Sequence, residues 1–331
     1  MPTLRLLGEL TGGSLYLDYV WGLGFSNNGR WAISASGCLQ GQDIFGELKV
    51  WDGVTGEFLT EYDEPEFDFD PTVVCVSSDG HRALLQDAVG TFVLLDLESQ
   101  RFLHRNYGRL PSFLNDDRFC LMIDGWNGLV CKAVDSHLTR WRLPHHNCKI
   151  TTYQVDHDES VIATGCDDGT VWLWNVETRG LLFSLPRTRT PVKQIALSAS
   201  GNVALILGCD GSLAAWNFFD GKCLAIMNGP RDKVISVCLT PDGQWAFGGD
   251  SSGRIVCWNI PNERSSCPTV NVNADIVRDV ATVLELTSLC PVTCLALSRD
   301  GHRLLAGGDP DDANRVSGAM LYEVITPTPG T

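Results

Sequence analysis

The fold of this chain is indicated by the stretch GTVWLWN at residues 169–175, which closes a segment that recurs twice more without gaps. The two further copies end at Trp216-Asn217 and at Trp258-Asn259, so the repeated tryptophans lie 42 residues apart. In all three copies the tryptophan follows a turn position by 15 residues, and that position is glycine in two copies and Glu159 in the first. A period of about 40–45 residues is typical of a four-stranded blade, so the repeat predicts a β-propeller.

Four looser copies bring the number of predicted blades to seven. In one of them Gly80 precedes Leu95 by the same 15 residues. The others have longer intervals, which are 22 residues from Gly29 to Trp51, 24 from Asp117 to Trp141 and 21 from Gly301 to Tyr322. Because their spacing follows the structural period, the repeated tryptophans are expected to pack the blades rather than to form a binding cage. These tryptophans are Trp51, Trp141, Trp174, Trp216 and Trp258.

Each copy has the composition of antiparallel strands joined by tight turns. Alternating runs such as 195–198 predict strands, and Asp-Gly or Asn-Gly pairs predict hairpins because glycine tolerates a positive φ. The last copy has only three strands, and the segment 3–7 lies outside every copy, so we expect this segment to close the ring as the outer strand of the last blade. The predicted fold class is all-β: a seven-bladed β-propeller of four-stranded antiparallel blades. Residues 1–326 are expected to form this single domain, with 327–331 as a flexible tail.

These segments resemble the WD-repeat (WD40) family. The resemblance rests on Val50-Trp51-Asp52, on the stretch 169–175 and on LTPDG at 239–243, and it extends over about residues 3–325. It implies blades arranged radially around a central channel. Members usually carry a Gly-His pair between blades, whose histidine joins a buried hydrogen-bond network with Asp and Trp. No Gly-His pair occurs between the predicted blades, and Pro230 follows Gly229 where one is expected, so we expect the blades to rely more on packing and on Asp-Gly turns than on this network.

The composition disfavours several classes of partner. The chain has 331 residues and a net charge of −15, whereas nucleic acids and anionic membranes bind through lysine and arginine. No apolar run reaches the ~18 residues that span a membrane, and the first 20 residues lack the pattern of a secretory signal. The 13 cysteines form no C-x-x-C pair, and we interpret them as reduced thiols of a cytoplasmic protein.

The longer loops are all expected on one face, which carries the turns between second and third strands and the connections between blades. Insertions are expected at 36–46 in blade 1, at 124–135 in blade 3 and at 309–317 in blade 7. The connection from blade 1 to blade 2 at 61–71 is acidic, and that from blade 6 to blade 7 includes 271–286 as a short helix or a strand extension. Blades 7, 1, 2 and 3 are neighbours in the predicted ring, so these loops form one sector.

We expect this sector to bind a partner, because loops on a rigid scaffold commonly carry function. The acidic loop would attract a basic partner and offer two phenylalanines as apolar anchors, whereas the alternative is a solvated loop that touches nothing. For the tryptophan at the tip of the blade 3 insertion, the alternative is packing on the rim. The candidate partner-binding residues are Glu61, Asp63, Glu64, Glu66, Phe67, Asp68, Phe69, Asp70, Trp126, Asp309, Asp311 and Asp312.

Three motifs suggest chemistry that their context disfavours. GDSSG at 249–253 matches G-x-S-x-G, but the repeat makes it a turn between strands, whereas a catalytic serine needs a strand, a turn and a helix. Residues 309–314 resemble half of a calcium loop but have Met320 where the bidentate glutamate belongs. HHNC at 145–148 suggests zinc, but adjacent histidines rarely reach one ion, so ordinary turn residues are expected. No metal or cofactor is predicted.

The favoured function is a non-enzymatic scaffold that binds a protein or peptide, as a monomer or as part of a larger complex. The alternative is a propeller enzyme or small-molecule binder with its site at the central channel, since fold alone does not give function. The inner strands, such as 73–76 and 294–297, are mostly apolar and small, which favours the scaffold.

Overall fold

A computed structural model describes residues 2–10, 19–40, 43–62, 73–86, 90–99, 101–114, 117–136, 138–144, 146–227, 233–261, 277–278, 281–286, 289–310 and 318–326. In these ranges the regular structure is entirely β, and its strands form seven antiparallel blades. The predicted fold class, a seven-bladed β-propeller of four-stranded blades, is therefore confirmed. Within the same ranges there is no helix that could cross a membrane. The chain divides into two compact units, one of residues 2–142 with 287–331 and the other of residues 143–286.

The unit of residues 2–142 and 287–331 contains blades 1, 2, 3 and 7. Blade 7 consists of β1 (Thr3–Glu9), β27 (Leu289–Leu297), β28 (Arg303–Pro310) and β29 (Ala319–Ile325). Blade 1 consists of β2 (Tyr19–Phe25), β3 (Trp31–Gln40), β4 (Asp43–Asp52) and β5 (Phe58–Tyr62). Blade 2 consists of β6 (Val73–Val76), β7 (Arg82–Gln86), β8 (Thr91–Asp96) and β9 (Arg101–Tyr107). Blade 3 consists of β10 (Arg109–Leu114), β11 (Phe119–Asp124), β12 (Gly128–Ala133) and β13 (Thr139–Arg142).

The unit of residues 143–286 contains blades 4, 5 and 6. Blade 4 consists of β14 (Ile150–Val155), β15 (Val161–Cys166), β16 (Val171–Asn175) and β17 (Leu181–Leu185). Blade 5 consists of β18 (Val192–Leu197), β19 (Val203–Gly208), β20 (Leu213–Asn217) and β21 (Cys223–Met227). Blade 6 consists of β22 (Val234–Leu239), β23 (Trp245–Asp250), β24 (Arg254–Asn259) and β26 (Ala281–Leu286). The short strand β25 (Val277–Arg278) adds to the outer edge of blade 5, parallel to β21.

The N-terminal strand completes blade 7, as the sequence predicts. β1 pairs antiparallel with β29, and the register runs from Thr3 opposite Ile325 to Glu9 opposite Met320. Three strands of blade 7 come from the C-terminal end of the chain, so this pairing ties the two ends of the described chain into one sheet. It also removes an open strand edge, which would otherwise expose unpaired backbone groups.

Two of the predicted insertions are strands rather than loops. In blade 1, β3 and β4 continue as a paired hairpin from Gly37 opposite Gly46 to Gln40 opposite Asp43. The prediction that 271–286 lengthens the connection from blade 6 to blade 7 is wrong. Residues 281–286 form β26, the outer strand of blade 6, and residues 277–278 form β25 beside blade 5. The extra length therefore lies between the third and fourth strands of blade 6, in the set of turns for which no insertion is predicted. In blade 7, β28 extends to Pro310, and residues 311–317 lie outside the described ranges.

The prediction for blade 3 is wrong in its third strand. The structure forms β12 from residues 128–133, within the predicted insertion 124–135, and leaves only a tight turn at 125–127 between β11 and β12. Trp141 therefore lies on the outer strand β13 and does not occupy the position of Trp174. Lys132 occupies that position, because it pairs with Cys120 as Trp174 pairs with Ile162.

The other repeated tryptophans pack the blades as predicted. Trp51, Trp174, Trp216 and Trp258 are buried, and Trp51 and Trp258 are among the largest fully buried side chains. Within the 143–286 unit, Trp216 joins the apolar cluster of blades 4 and 5, and Trp258 joins that of blades 5 and 6. These clusters pack neighbouring blades of this unit tightly against each other, so the turns between their strands stand on a rigid core.

Candidate functional site

Most of the predicted partner-binding residues lie outside the described residues. These are Asp63, Glu64, Glu66, Phe67, Asp68, Phe69, Asp70, Asp311 and Asp312. Of the remaining three, Asp309 lies near the end of β28, where only the backbone is described, and Glu61 is half-buried on β5 opposite Lys49. Of the two whose side chains are described, Trp126 is the one with an exposed side chain.

Trp126 lies at the tip of a tight hairpin between β11 and β12. The pair Asp124–Gly128 closes the hairpin, and Gly125 adopts a φ of 68°, a left-handed conformation that favours glycine. The side chain of Trp126 is 66% exposed although tryptophan is one of the most apolar side chains. Packing on the rim, which the sequence left as an alternative, therefore covers only about a third of it.

An arginine at the start of β10 contacts this tryptophan. The guanidinium carbon of Arg109 lies 5.4 Å from the centre of the Trp126 ring, within the range of a cation–π contact. Arg109 Nη2 also donates a hydrogen bond of 3.4 Å to the carbonyl of Gly125. Partial burial lowers the pKa of Arg109 from its ordinary value, but an arginine remains charged at neutral pH. The contact holds the exposed ring in one orientation while leaving much of it accessible.

The connection between β9 and β10 places Arg109 beside the hairpin. Gly108 donates its N–H to the carbonyl of Gly90 at 3.0 Å, which ties the connection to the turn before β8. A side chain at Gly108 would collide with Met122, because an added Cβ would lie 2.8 Å from its sulfur. Tyr107, just before this glycine, is 76% exposed. We call Tyr107, Arg109 and Trp126 the Trp126 surface.

Sequence reasoning identified Trp126 but missed Tyr107 and Arg109. Tyr107 ends β9 and Arg109 begins β10, so they flank a connection between blades that consists of Gly108 alone and carries no insertion. An ion pair supports the same hairpin, because Arg142 Nη1 lies 2.8 Å from a carboxylate oxygen of Asp124. Trp126 therefore stands on a fixed turn and contacts the cation of Arg109, and tryptophan and arginine are enriched in interaction hot spots.

Blade 4 has a buried histidine network although the sequence lacks a Gly-His pair between the blades. His146 is 1% exposed, and its Nε2 lies 2.8 Å from the hydroxyl of Thr164. Trp174 donates its indole N–H to the same hydroxyl at 3.0 Å. The His146 ring also stacks on Trp172, with ring centres 4.6 Å apart. His146 is thus part of the core rather than an ordinary turn residue, whereas His145 lies outside the described residues.

The expectation of reduced cysteines is wrong for one pair. Cys148 and Cys166 form a disulfide with their Cα atoms 6.0 Å apart, and eight other described cysteines are free. The sulfurs of this pair and a carboxylate oxygen of Asp168 lie within 4.8 Å of one another, which is close enough for three metal ligands. However, the disulfide occupies both sulfurs, and Asp168 forms an ion pair with Arg187 at 2.7 Å. The arrangement as it stands does not fit a metal ion.

The G-x-S-x-G match lies in a turn between strands, as predicted. The turn joins β23 to β24, and its Asp250 is fully buried. The carboxylate of Asp250 accepts hydrogen bonds from the backbone and hydroxyl of Ser252 and from Arg254 Nε, the last at 2.8 Å. These bonds close the turn on itself, so the motif serves as turn structure.

Comparison with protein families places WD40 repeats at two positions in the chain. The model described as "WD domain, G-beta repeat" matches residues 138–175 and 221–259. The first match runs from β13 to β16 and the second from just before β21 to β24. Each match therefore contains an outer strand followed by the first three strands of the next blade. The predicted resemblance to WD-repeat proteins is confirmed.

Curated relatives match parts of the chain. Protein SPIRRIG of Arabidopsis thaliana is 28% identical over 185 residues, which are 49% of this chain and 5% of that protein. WD repeat and SOCS box-containing protein 1 of Homo sapiens is 24% identical over 110 residues, 33% of this chain and 26% of that protein. A p21-activated protein kinase-interacting protein 1-like of Gallus gallus is 28% identical over 102 residues, 31% of this chain and 27% of that protein. The chain thus spans about a quarter or less of these relatives.

Proposed function

We propose, from the premise that this chain is built of WD-type blades, that it is a non-enzymatic scaffold that binds a protein or peptide partner. The partner would dock on the face that carries the second-to-third turns and the blade connections, with the Trp126 surface as its anchor. The observation that carries this proposal is an exposed tryptophan held in place by an arginine on a fixed hairpin. WD-repeat proteins are typical protein-interaction scaffolds, which supports the same function.

The composition of the Trp126 surface supports a role in binding. Interaction hot spots are enriched in tryptophan, tyrosine and arginine, and truncating such a residue costs about 2 kcal/mol or more of binding free energy. A large aromatic side chain can bury about 150–250 Å², so the exposed part of Trp126 offers a substantial apolar contact to a partner. Because Arg109 already orients the ring, binding would cost little additional side-chain entropy.

The acidic residues between blades 1 and 2 favour a partner with a basic surface. Glu61 lies on β5, and the acidic residues of 63–70 follow it along the chain, with Phe67 and Phe69 between them. Acidic groups around an apolar anchor would steer a basic partner and raise its association rate. The names of the relatives agree with protein partners in general terms, since one of them is described as interacting with a protein kinase.

We also propose that the protein acts in the cytoplasm, alone or as a subunit of a larger complex. The eight free cysteines of the described chain support a reducing compartment, where disulfides are rare. The Cys148–Cys166 disulfide is the observation that speaks against it. A thiol assay on protein purified from its native source under alkylating conditions would settle whether that pair is oxidised in the cell.

Affinity capture from native extract tests the Trp126 surface. The immobilised chain would be compared with W126A and with Y107A, and bound proteins would be quantified by mass spectrometry at low and high salt. We expect at least one specific partner whose capture falls about tenfold or more in W126A, which corresponds to about 1.4 kcal/mol. Its purified form would then be titrated against each variant by calorimetry.

A matched control comes from Phe219, which is 88% exposed on the turn between β20 and β21. F219A removes an exposed aromatic ring from a turn between a third and a fourth strand, whereas Trp126 lies between a second and a third strand. F219A should therefore capture the same partner as the unchanged chain. Equal loss in W126A and F219A would indicate a general apolar effect and contradict the proposal. Neutralising the acids of 61–70 to Asn and Gln should reduce capture mainly at low salt if that loop steers the partner.

A further inference from the structure

Two segments of blade 4 meet at the Cys148–Cys166 disulfide, and backbone contacts beside it hold them together. Cys148 lies just before β14, and Cys166 ends β15. The backbone N–H of Lys149 donates to a carboxylate oxygen of Asp167 at 3.1 Å, and the backbone N–H of Asp167 donates to the carbonyl of Lys149 at 2.9 Å. These two bonds do not involve the sulfurs, so we expect them to keep the two cysteines close together when the disulfide is reduced.

A tight turn brings a carboxylate to the same place. The turn joins β15 to β16, and it is closed by a hydrogen bond of 3.0 Å from the N–H of Cys166 to the carbonyl of Thr170. It places Asp168 two residues after Cys166, and the ligand atoms of Asp168, Cys148 and Cys166 all lie within 4.8 Å of one another. Over the part of the chain that the structure describes, no other group of three histidine, cysteine or acidic side chains is so compact.

The disulfide and a metal ion are alternative partners for the same two sulfurs. A dithiol reductant converts the disulfide to two thiols and is itself oxidised to a disulfide, and a divalent ion then displaces one proton from each thiol. In a tetrahedral site with Zn–S bonds of ~2.3 Å, the two sulfurs lie about 3.8 Å apart. The Cα atoms of Cys148 and Cys166 are 6.0 Å apart, so rotation of the two side chains reaches this separation without moving the backbone.

The types of ligand favour zinc over other ions. Zinc accepts thiolates together with a carboxylate, whereas calcium and magnesium take oxygen ligands and copper(I) prefers sulfur ligands alone. Two thiolates and one carboxylate exceed the charge of a zinc ion by one negative charge. Arg187 offsets that charge, because its Nη2 lies 2.7 Å from Asp168 Oδ2.

The contacts around Asp168 leave room for an ion on one of its oxygens. Oδ1 accepts hydrogen bonds from the backbone N–H of Thr170 at 3.0 Å and from the Thr170 hydroxyl at 2.5 Å. The same hydroxyl lies 3.5 Å from the sulfur of Cys148, so it can turn to that sulfur when an ion takes its place on Oδ1. Arg187 then stays on Oδ2 and orients the carboxylate, as residues around zinc ligands commonly do.

We propose that the reduced chain binds one zinc ion through the thiolates of Cys148 and Cys166 and the carboxylate of Asp168, hereafter the blade 4 metal site. The fourth position of a tetrahedral zinc would be taken by water or by a group outside the described residues. The ion would replace the disulfide as the link between the segment before β14 and the turn after β15. This inference goes beyond the proposed function and does not depend on any partner.

Cobalt(II) and zinc(II) titrations of the full chain test the blade 4 metal site. The chain would be reduced with a phosphine, freed of reductant without oxygen and titrated with cobalt, whose bonds to thiolates give a charge-transfer band in the near ultraviolet. We expect this band to saturate at one cobalt per chain and to disappear when an equal amount of zinc is added. Calorimetry in two buffers should show the release of about two protons per zinc, one from each thiol. A chain with the disulfide intact, verified by its thiol count, should give no such band.

Variants of the three ligands show whether they bind the ion. C148S and C166S should each lower the zinc affinity by about a hundredfold or more and D168N by about tenfold or more, since even residues that only orient zinc ligands cost about 10–100-fold. Zinc should raise the unfolding temperature of the reduced unchanged chain but not that of C166S. Thermal unfolding without metal would verify that each variant is folded.

D210N is the matched control for D168N. Asp210 belongs to the equivalent turn of blade 5, between β19 and β20, but Gly208 stands there in place of Cys166, because Val192 pairs with Gly208 as Ile150 pairs with Cys166. D210N should therefore bind zinc like the unchanged chain, and so should C209S, which removes an exposed thiol from that turn.

Three results would overturn the proposal. These are a reduced chain that gives no sulfur-to-cobalt band, a band that persists unchanged in C148S or C166S, and equal zinc affinities of D168N and D210N. None of these assays contains a protein partner, so their outcome is separate from that of the capture experiment on the Trp126 surface.

Discussion

Replacing Thr164 by valine should destabilise the protein by about 2–6 kcal/mol. The Thr164 side chain is fully buried, and its hydroxyl is the shared hydrogen-bond partner of His146 Nε2 at 2.8 Å and of Trp174 Nε1 at 3.0 Å. Valine has nearly the same shape, so T164V removes these two bonds without creating a cavity. Each buried polar group that loses its partner costs about 1–3 kcal/mol, and two groups are affected.

Equilibrium unfolding in urea measures this cost, with T164S as the control. Serine keeps the hydroxyl and removes one methyl group, so T164S should lose only about 1 kcal/mol. The free energy of unfolding should therefore fall in the order unchanged chain, T164S, T164V. If T164V lies within about 1 kcal/mol of T164S, the hydroxyl does not connect His146 to Trp174 in a way that matters for stability, and packing alone holds blade 4 together.

Two further predictions concern the disulfide and the turn glycines. Under denaturing, non-reducing conditions, reagents for free thiols should detect two fewer thiols than after reduction. The variant C148S should show one thiol more than the unchanged chain, because Cys166 is released, and its free energy of unfolding should fall by about 2–4 kcal/mol. A full count of 13 thiols before reduction would contradict the disulfide. G80A should unfold at a clearly lower urea concentration than G29A. Both glycines have a positive φ, which strains an alanine at either position. An added Cβ at Gly80 would in addition lie 2.2 Å from the Trp31 ring, whereas at Gly29 it would meet nothing within 4 Å. Equal midpoints for the two alanine variants would show that the contact with Trp31 relaxes without cost.

The sequence predicts the regular blades well, because one interval governs them. In blades 4, 5 and 6 the asparagine after the repeated tryptophan pairs with Val161, Val203 and Trp245, each two residues beyond the turn position. A fixed interval of 15 residues between turn and tryptophan therefore reflects a fixed register between the second and third strands. The register is set by local turns and by burial, which are properties that a sequence records.

Blade 3 was predicted wrongly because residue type was given more weight than spacing. The aromatic side chain of Trp141 suggested the third strand, but the same interval of 15 residues, counted from the turn residue Asp117, ends at Lys132. Asp117 has a φ of 64°, so this turn adopts the glycine conformation without a glycine. The interval, rather than an aromatic residue, therefore marks β12, in which Lys132 takes the place of the tryptophan.

The candidate site was harder to predict than the fold. The exposure of Trp126 follows from its place at a hairpin tip, which the sequence indicated in outline. The arginine over its ring could not be predicted, because Arg109 reaches the hairpin only through the path of the connection between β9 and β10. A contact between side chains of a strand end and a turn, such as that of Arg109 with Trp126, leaves no periodic signal in the sequence.

The buried network shows how one side chain decides whether a blade needs the histidine. Thr164 lies on the second strand of blade 4, and in blade 1 the equivalent Ser34 accepts the indole N–H of Trp51 at 3.1 Å. In blade 5 the equivalent residue is Ile206, and among the described residues the indole nitrogen of Trp216 has no hydrogen-bond partner. An isoleucine at this position has no oxygen to accept a hydrogen bond from the tryptophan. Blade 5 therefore relies on packing, as expected from the missing Gly-His pair. Blade 4 differs because its hydroxyl lets His146 take part without a preceding glycine.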